Sequence, residues 1–244
     1  MLTRFSVVDE ETVQRVVALS AFNGSYVVLM ATAGVLSAIA LLTNSVPVLI
    51  GSMIIAPALP PLALISFGIV NRDADLAFDG AISAVLGLCI SMAAAVVVTA
   101  LLNVIQVLPS EASLLDRDLL QERVSPGFYS VVTAVAAGIA GMIALTERKT
   151  DTLVGVVAAL ALVPAAVAGA IAFLSEDPVR GWGGIALLAI NVVLIVLSGV
   201  LTLLFYAAVN SDGSDNSLRD KSAGEEVHSQ QSDSDLADKD RTVV

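Results

Sequence analysis

Apolar residues in this chain gather into six long runs separated by short polar turns. The runs are Gly24–Thr43, Val46–Val70, Ala77–Leu102, Phe128–Thr146, Thr152–Leu174 and Gly183–Val209, and none carries a charge near its middle. A helix rises about 1.5 Å per residue, so about 20 residues cross a hydrocarbon core roughly 30 Å thick. The pattern predicts an all-α membrane protein with six transmembrane helices. Only Asn44 and Ser45 separate the first two runs, which demands a tight antiparallel hairpin. The link between the fourth and fifth runs, Glu147 to Asp151, is nearly as short.

Two runs are interrupted by proline. The second carries Pro57, Pro60 and Pro61; the fifth carries Pro164. Each is the middle member of a group of three. Proline in a helix interior removes a backbone donor and clashes one turn back, at a cost of about 3 kcal/mol. Hydrocarbon offers no water to repair that loss, so such breaks persist where protein or a wet cavity covers them. The two groups share an order: a Gly/Ala-rich span, a short turn, a proline-bearing span, an acidic loop and a long span. Pro57 and Pro164 lie 107 residues apart, close to the spacing of the other paired features. Three crossings are an odd number, so homologous halves have to be inverted in the membrane. An inverted 3+3 repeat with Pro-broken helices 2 and 5 is therefore expected, the construction of many secondary transporters.

Composition agrees. Of the 244 residues, 57% are hydrophobic and only 14% charged, against roughly 25% charged in soluble domains. The single cysteine, Cys89, reads as a small packing residue, and the single histidine, His228, lies far from the apolar runs. Cofactors and a metal site are not expected. No zinc-protease, serine-hydrolase, nucleotide or dinucleotide motif is present, and no span holds the paired carboxylates that intramembrane catalysis uses. The chain is read as a non-enzyme.

The net charge is −11. Nucleic acid is not an expected partner, because a basic footprint is missing. Acids crowd the loops and lysine is scarce, a balance suited to high salt, where the Debye length falls to about 3 Å. With the N-terminus inside, nine basic residues face the cytoplasm and three (Arg117, Arg123, Arg180) face outside. The positive-inside rule then puts both termini in the cytoplasm of a multi-pass cell-membrane protein. Residues 1–22 read as a cytoplasmic interfacial lead-in, not a secretory signal, with Val13, Val16, Val17 and Ser20 on one helical face. Residues 23–209 form the transmembrane domain. Residues 210–244 hold nine acids, four bases and seven serines, and read as a disordered acidic tail.

Polar residues that could contact a ligand are few: Asn44, Ser45, Ser52, Ser66 and Asn191. Carbonyls freed near Pro57 and Pro164 suit a cation, while a helix restarting at Pro60 and Pro61 would aim amides at an anion. A kink packed by neighbours is the plainer reading. The expected solute or ion pathway comprises Asn44, Ser52, Pro57, Pro60, Pro61, Pro164 and Asn191. Small residues on the fourth run (Ala134, Ala137, Gly138, Gly141) and the fifth (Gly155, Ala159, Ala166, Gly169) read as close helix contacts.

The stretch Leu42-Thr-Asn-Ser45 with Val48-Leu-Ile-Gly51-Ser52-Met53-Ile-Ile-Ala-Pro57-Ala-Leu-Pro60-Pro61 resembles the signature of the uncharacterised hydrophobic domain family, domain of unknown function number 389. Arg123-Val-Ser-Pro126, the segment Ala137 to Gly141, Leu153-Val-Gly155 leading to Ala161-Leu-Val-Pro164, and Asn191-Val-Val agree with it. The resemblance spans about Ser20 to Tyr206. This chain departs from the family's Pro-Leu-Met-x-Pro pattern by lacking the methionine and adding a proline. The resemblance implies a multi-pass membrane protein and supplies no substrate. Lipid is the expected surrounding, a small solute or ion the expected cargo, and assembly of identical subunits is left open. A small secondary transporter or channel-like protein is the expected function; the competing class is a non-transporting scaffold or sensor that signals through its tail.

Overall fold

The computed structural model describes residues 9–105, 119–120, 128–147, 154–174 and 181–209, excluding side chains at 129 and 154–161. The acidic tail, most of the loop around Leu114 and Leu115, and Gly155 and Ala159 as packing residues lie outside that description. The chain divides into one unit of residues 1–203 and a second of 204–244. Only residues 204–209 of the second are described, and they are helical.

Among the described residues the helices are α1 Glu10–Ser20, α2 Gly24–Thr43, α3 Val46–Ile55, α4 Leu59–Asn71, α5 Ala74–Val104, α6 Phe128–Thr146, α7 Val154–Phe173 and α8 Gly181–Val209. Helices α2, α5 and α8 are each long and apolar enough to cross a membrane, and the α3–α4 pair makes a fourth if it counts as one span. The described apolar segments Ser130–Thr146 and Leu162–Phe173 are shorter. The molecule is an all-helical, multi-pass integral membrane protein.

The turn at Asn44 explains the hairpin between α2 and α3. Asn44 adopts the left-handed conformation (φ 53°, ψ 39°), and its amide caps the Ala40 carbonyl. Asparagine tolerates that region better than most residues with a Cβ. Pro47 then falls in the first turn of α3, where a missing N–H is harmless.

The two proline-bearing runs behave differently. The second is interrupted at Ala56, Pro57 and Ala58, and α3 and α4 meet there at 50°. The fifth is not broken: α7 runs through Pro164 as one helix, which corrects the expectation of paired ruptures. Its surroundings give the reason. Every residue from Leu162 to Ala172 is buried, with α2, α3, α5 and α6 packed around it. A helix apolar on all sides belongs at the centre of a bundle, and Pro164 and the turns that follow it are enclosed by protein.

Glycine sets the register of the other helices. A Cβ on Gly34 of α2 would overlap the Ser91 carbonyl of α5, and one on Gly87 of α5 would overlap the Tyr26 hydroxyl of α2. Pairing 26 with 87 and 34 with 91 makes α2 and α5 parallel. The same contact recurs between α6 and α8: a Cβ on Gly138 would overlap the Ser198 hydroxyl, and Gly199 faces Met142. The two serine hydroxyls donate to their own helices, Ser91 to the Leu88 carbonyl (2.8 Å) and Ser198 to the Leu194 carbonyl (2.7 Å). Helices α7 and α8 touch backbone to backbone at Gly169 and Gly184. On α5 the buried residues Ser83, Gly87, Ser91, Ala95 and Thr99 recur every four positions. Cys89 falls off that stripe and is exposed on the outer face, so it is not an inward packing residue.

Helix α1 packs through Thr12, Val16 and Ser20. Val16 joins Leu64 and Phe67 of α4, Met142 and Leu145 of α6, and Leu203 of α8 in one cluster. The first helix and this part of α8 therefore sit at the same end of the bundle. Val13 is only half-buried, whereas Val17, Leu19 and Phe22 are exposed. The packed face is thus rotated from the one the apolar pattern suggested. Leu120 is buried against the main core.

These contacts set a contrast in substitution effects. Gly34→Ala drives a methyl into the α5 backbone and is expected to destabilise by about 1–3 kcal/mol through overpacking. Gly51→Ala meets nothing within 4 Å and should be neutral or stabilising by up to about 1 kcal/mol through helix propensity. Unfolding midpoints in mixed detergent micelles measure both. Equal effects at the two positions would contradict the α2–α5 contact.

Candidate functional site

The α3–α4 interruption is chemically lopsided. Residue 57 is proline, so the Met53 carbonyl loses the amide that a continuous helix would give it. The Ala58 amide turns back to the Ala56 carbonyl (2.9 Å), two residues short of Ile54. The Ala56 amide still reaches the Ser52 carbonyl (3.3 Å), closing α3. Helix α4 then restarts at Leu59, with Pro60 and Pro61 in its first turn. A helix N-terminus normally presents several free amides to an anion. Here two of them are removed by proline. The break therefore carries more acceptors than donors, and the negative end of the α3 dipole points into it. That chemistry favours a cation or a hydrogen-bond donor over an anion.

A small cavity adjoins the break. It is lined by Ala58 and Leu62, by Tyr26 and Met30 of α2, by Ala84 and Leu88 of α5, and by Leu162 of α7, and its volume is about 10 Å³. That is room for roughly one water. Leu162 stands two residues before Pro164, so the neighbourhoods of both proline sites meet here. Pro57 and Pro60 are half-buried, and Pro61 and Pro164 are buried.

The remaining expected pathway residues lie elsewhere. Asn44 is exposed at the opposite end of α3, and its Oδ1 accepts from the Leu119 amide (3.1 Å); it is a cap and a loop tether. Ser52 is fully buried and donates to the Leu49 carbonyl (2.7 Å). Its oxygen also lies 2.8 Å from the Ser37 hydroxyl. With the Ser52 proton committed to Leu49, Ser37 is the donor to Ser52. Ser66, also buried, donates toward the carbonyls of Leu62 (3.2 Å) and Val196 (3.3 Å), tying α4 to α8. Asn191 is buried in α8 at 2% exposure and does not line the cavity.

Sequence reasoning passed over Tyr26. Its ring is 3% exposed and its hydroxyl donates to the Ser83 carbonyl (2.9 Å). The available signal was a lone polar aromatic near the start of an apolar run, together with the four-residue spacing of small residues on α5 that receives it.

The Ser37–Ser52 bond can be measured by a double-mutant cycle with Ser37→Ala and Ser52→Ala. Interhelical hydrogen bonds in membranes couple by about 0.6 kcal/mol on average, and a value near that is expected from unfolding equilibria. Zero coupling would show that the hydroxyls do not bond.

Comparison with known proteins shows the family and supplies no substrate. Uncharacterized protein MJ0678 of Methanocaldococcus jannaschii is 28% identical over 165 residues, covering 67% of this chain and 48% of that protein. The chain thus spans about half the length of this relative. No solved structure matches. The family model described as Domain of unknown function (DUF389) matches residues 53–197, more than half of the sequence and the stretch holding both proline sites; the chain belongs to that family.

Proposed function

We propose that this protein is a small secondary transporter or channel-like protein, passing a small cation or a neutral, donor-bearing solute between the α3–α4 break and α7. One observation carries the reading: a helix interrupted within the apolar region lines a cavity against the proline-bearing central helix, and its prolines subtract donors while leaving carbonyls. Discontinuous helices with exposed carbonyls are how many transporters hold cations. A cavity of about 10 Å³ admits no larger solute, so passage requires α3 or α4 to part from α7.

The accompanying topology is six spans in two inverted triplets: α2, α3–α4 and α5, then α6, α7 and α8. The repeated glycine–serine contact supports it. Gly34 on Ser91 has its counterpart in Gly138 on Ser198, offset by 104 and 107 residues. In each triplet the first and last helices run parallel. Basic residues favour cytoplasmic termini, with Val17 and Leu19 of α1 and Phe22 just beyond it in the membrane interface. The reading is non-catalytic, and the acidic balance fits work at high salt. Closure of the cavity favours the second reading, a scaffold or sensor that moves nothing.

Flux in proteoliposomes separates the two. Pro57→Ala, Pro164→Ala and Asn191→Leu should each lower cation flux at least about tenfold, equivalent to about 1.4 kcal/mol in the barrier, while the protein still inserts. If no monovalent cation, divalent cation or small amide crosses, and the variants behave as the parent does, the scaffold reading replaces this one. For topology, Arg72→Cys and Arg117→Cys in a Cys89→Ala background should label from opposite faces; labelling from one face would remove the inverted arrangement.

A further inference from the structure

We infer that Tyr26 is a gate, closing the cavity beside the α3–α4 break toward the α1 end of the bundle. What passes the gate rests on the transport reading above; the position of the ring does not. The lining residues form two levels. Met30, Leu88 and Ala58 make the inner one. Tyr26, Ala84 and Leu62 lie one turn nearer the α1 end on their respective helices. Tyr26 is the third residue of α2, so about 3 Å of helix rise separates it from the start of that span. Outside it lie Asn23, whose side chain caps the Tyr26 amide (2.9 Å), and the half-exposed Phe22, its ring centroid 6.0 Å from that of Tyr26. On α2 the tyrosine is the last buried residue on this side of the cavity, residues 21–25 all being exposed.

Two features hold the ring there. Its hydroxyl donates to the Ser83 carbonyl across the α2–α5 interface. Its tip occupies a notch that exists because residue 87 has no side chain. Both restraints act on the far end of a side chain with two rotatable bonds. Opening is a rotation of this ring, which gives up a bond worth about 0.5–1.5 kcal/mol together with its packing in the core. Tyr26 is also the one lining residue with a polar side chain, so it is the one that could follow a hydrated cargo outward by exchanging the Ser83 carbonyl for water.

The test uses purified protein in lipid nanodiscs, with Cys89→Ala removing the exposed native thiol and Ala58→Cys placing a reporter at the break. A membrane-impermeant maleimide should label the parent slowly. Tyr26→Ala should raise the rate about tenfold or more, as expected when a minor open state of roughly 0.1–10% becomes dominant. Gly87→Ala keeps the ring but fills its notch, and should give a smaller rise. Val28→Ala, on the exposed face of α2, should leave the rate unchanged. Equal labelling of the parent and Tyr26→Ala overturns the gate. Should Tyr26→Ala fail to fold, an unchanged rate in Gly87→Ala overturns it instead. Faster labelling without flux of any cation would keep the gate and remove the transport reading. Flux with unchanged labelling would do the reverse.

Discussion

A backbone carbonyl that has lost its donor inside hydrocarbon must be covered by something other than lipid. In this molecule that requirement determines which helix lies at the centre. Pro164 leaves such a carbonyl four residues before it, and α7 is the helix in which every residue from Leu162 to Ala172 is buried. Its residues there are almost all alanine, valine, leucine and isoleucine. Neighbouring helices can therefore come close on all sides. The remainder of the bundle follows from placing α2, α3, α5 and α6 against that column.

Close approach is also what binds the outer helices. Lipid tails are as apolar as leucine, so helices in a membrane gain little by hiding leucine from them; they gain by touching. Gly34, Gly138 and Gly184 each stand where a single methyl would strike the partner helix. The serines opposite do not bridge helices: Ser91 and Ser198 return their protons to their own carbonyls. They fill small spaces without leaving a polar atom unmet. Ser37 and Ser52 differ, bonding across α2 and α3 where the hairpin is tightest. The hydroxyls of Ser37, Ser52, Ser66, Ser91 and Ser198 are thus committed to packing, and the interrupted backbone at Ala56–Ala58 is a place where acceptors are left for other use.

Much of this was readable from residue order. The limits of α2 and α6 coincide with the apolar runs, because charged or polar residues mark their ends. The break after Ile55 was legible because no helix absorbs Pro57, Pro60 and Pro61 together. The continuity of α7 was not. Whether one proline breaks a span depends on what surrounds it, and a run of alanine and valine does not say whether it faces lipid or protein. The capping role of Asn44 was hidden for a related reason: an amide at the end of a span has the same composition whether it caps a helix or lines a pathway. Tyr26 was invisible because its partners, Ser83 and Gly87, are 57 and 61 residues away.

The unequal fate of the two proline sites follows from magnitudes. A lone proline retained in a helix costs about 3 kcal/mol, which complete burial by protein can offset. Three prolines within five positions would cost roughly three times as much in a continuous helix, since each would clash with its own preceding turn. Interrupting the chain once removes all three penalties. Pro57 moves into the non-helical link, and Pro60 and Pro61 move into a first turn, where no intrahelical donor is required. The outcome is a continuous column beside an interrupted one, with a cavity between them. The same element, proline, thus bends the chain by 50° between α3 and α4 and leaves α7 a single helix, because number and position of the rings decide which solution costs less.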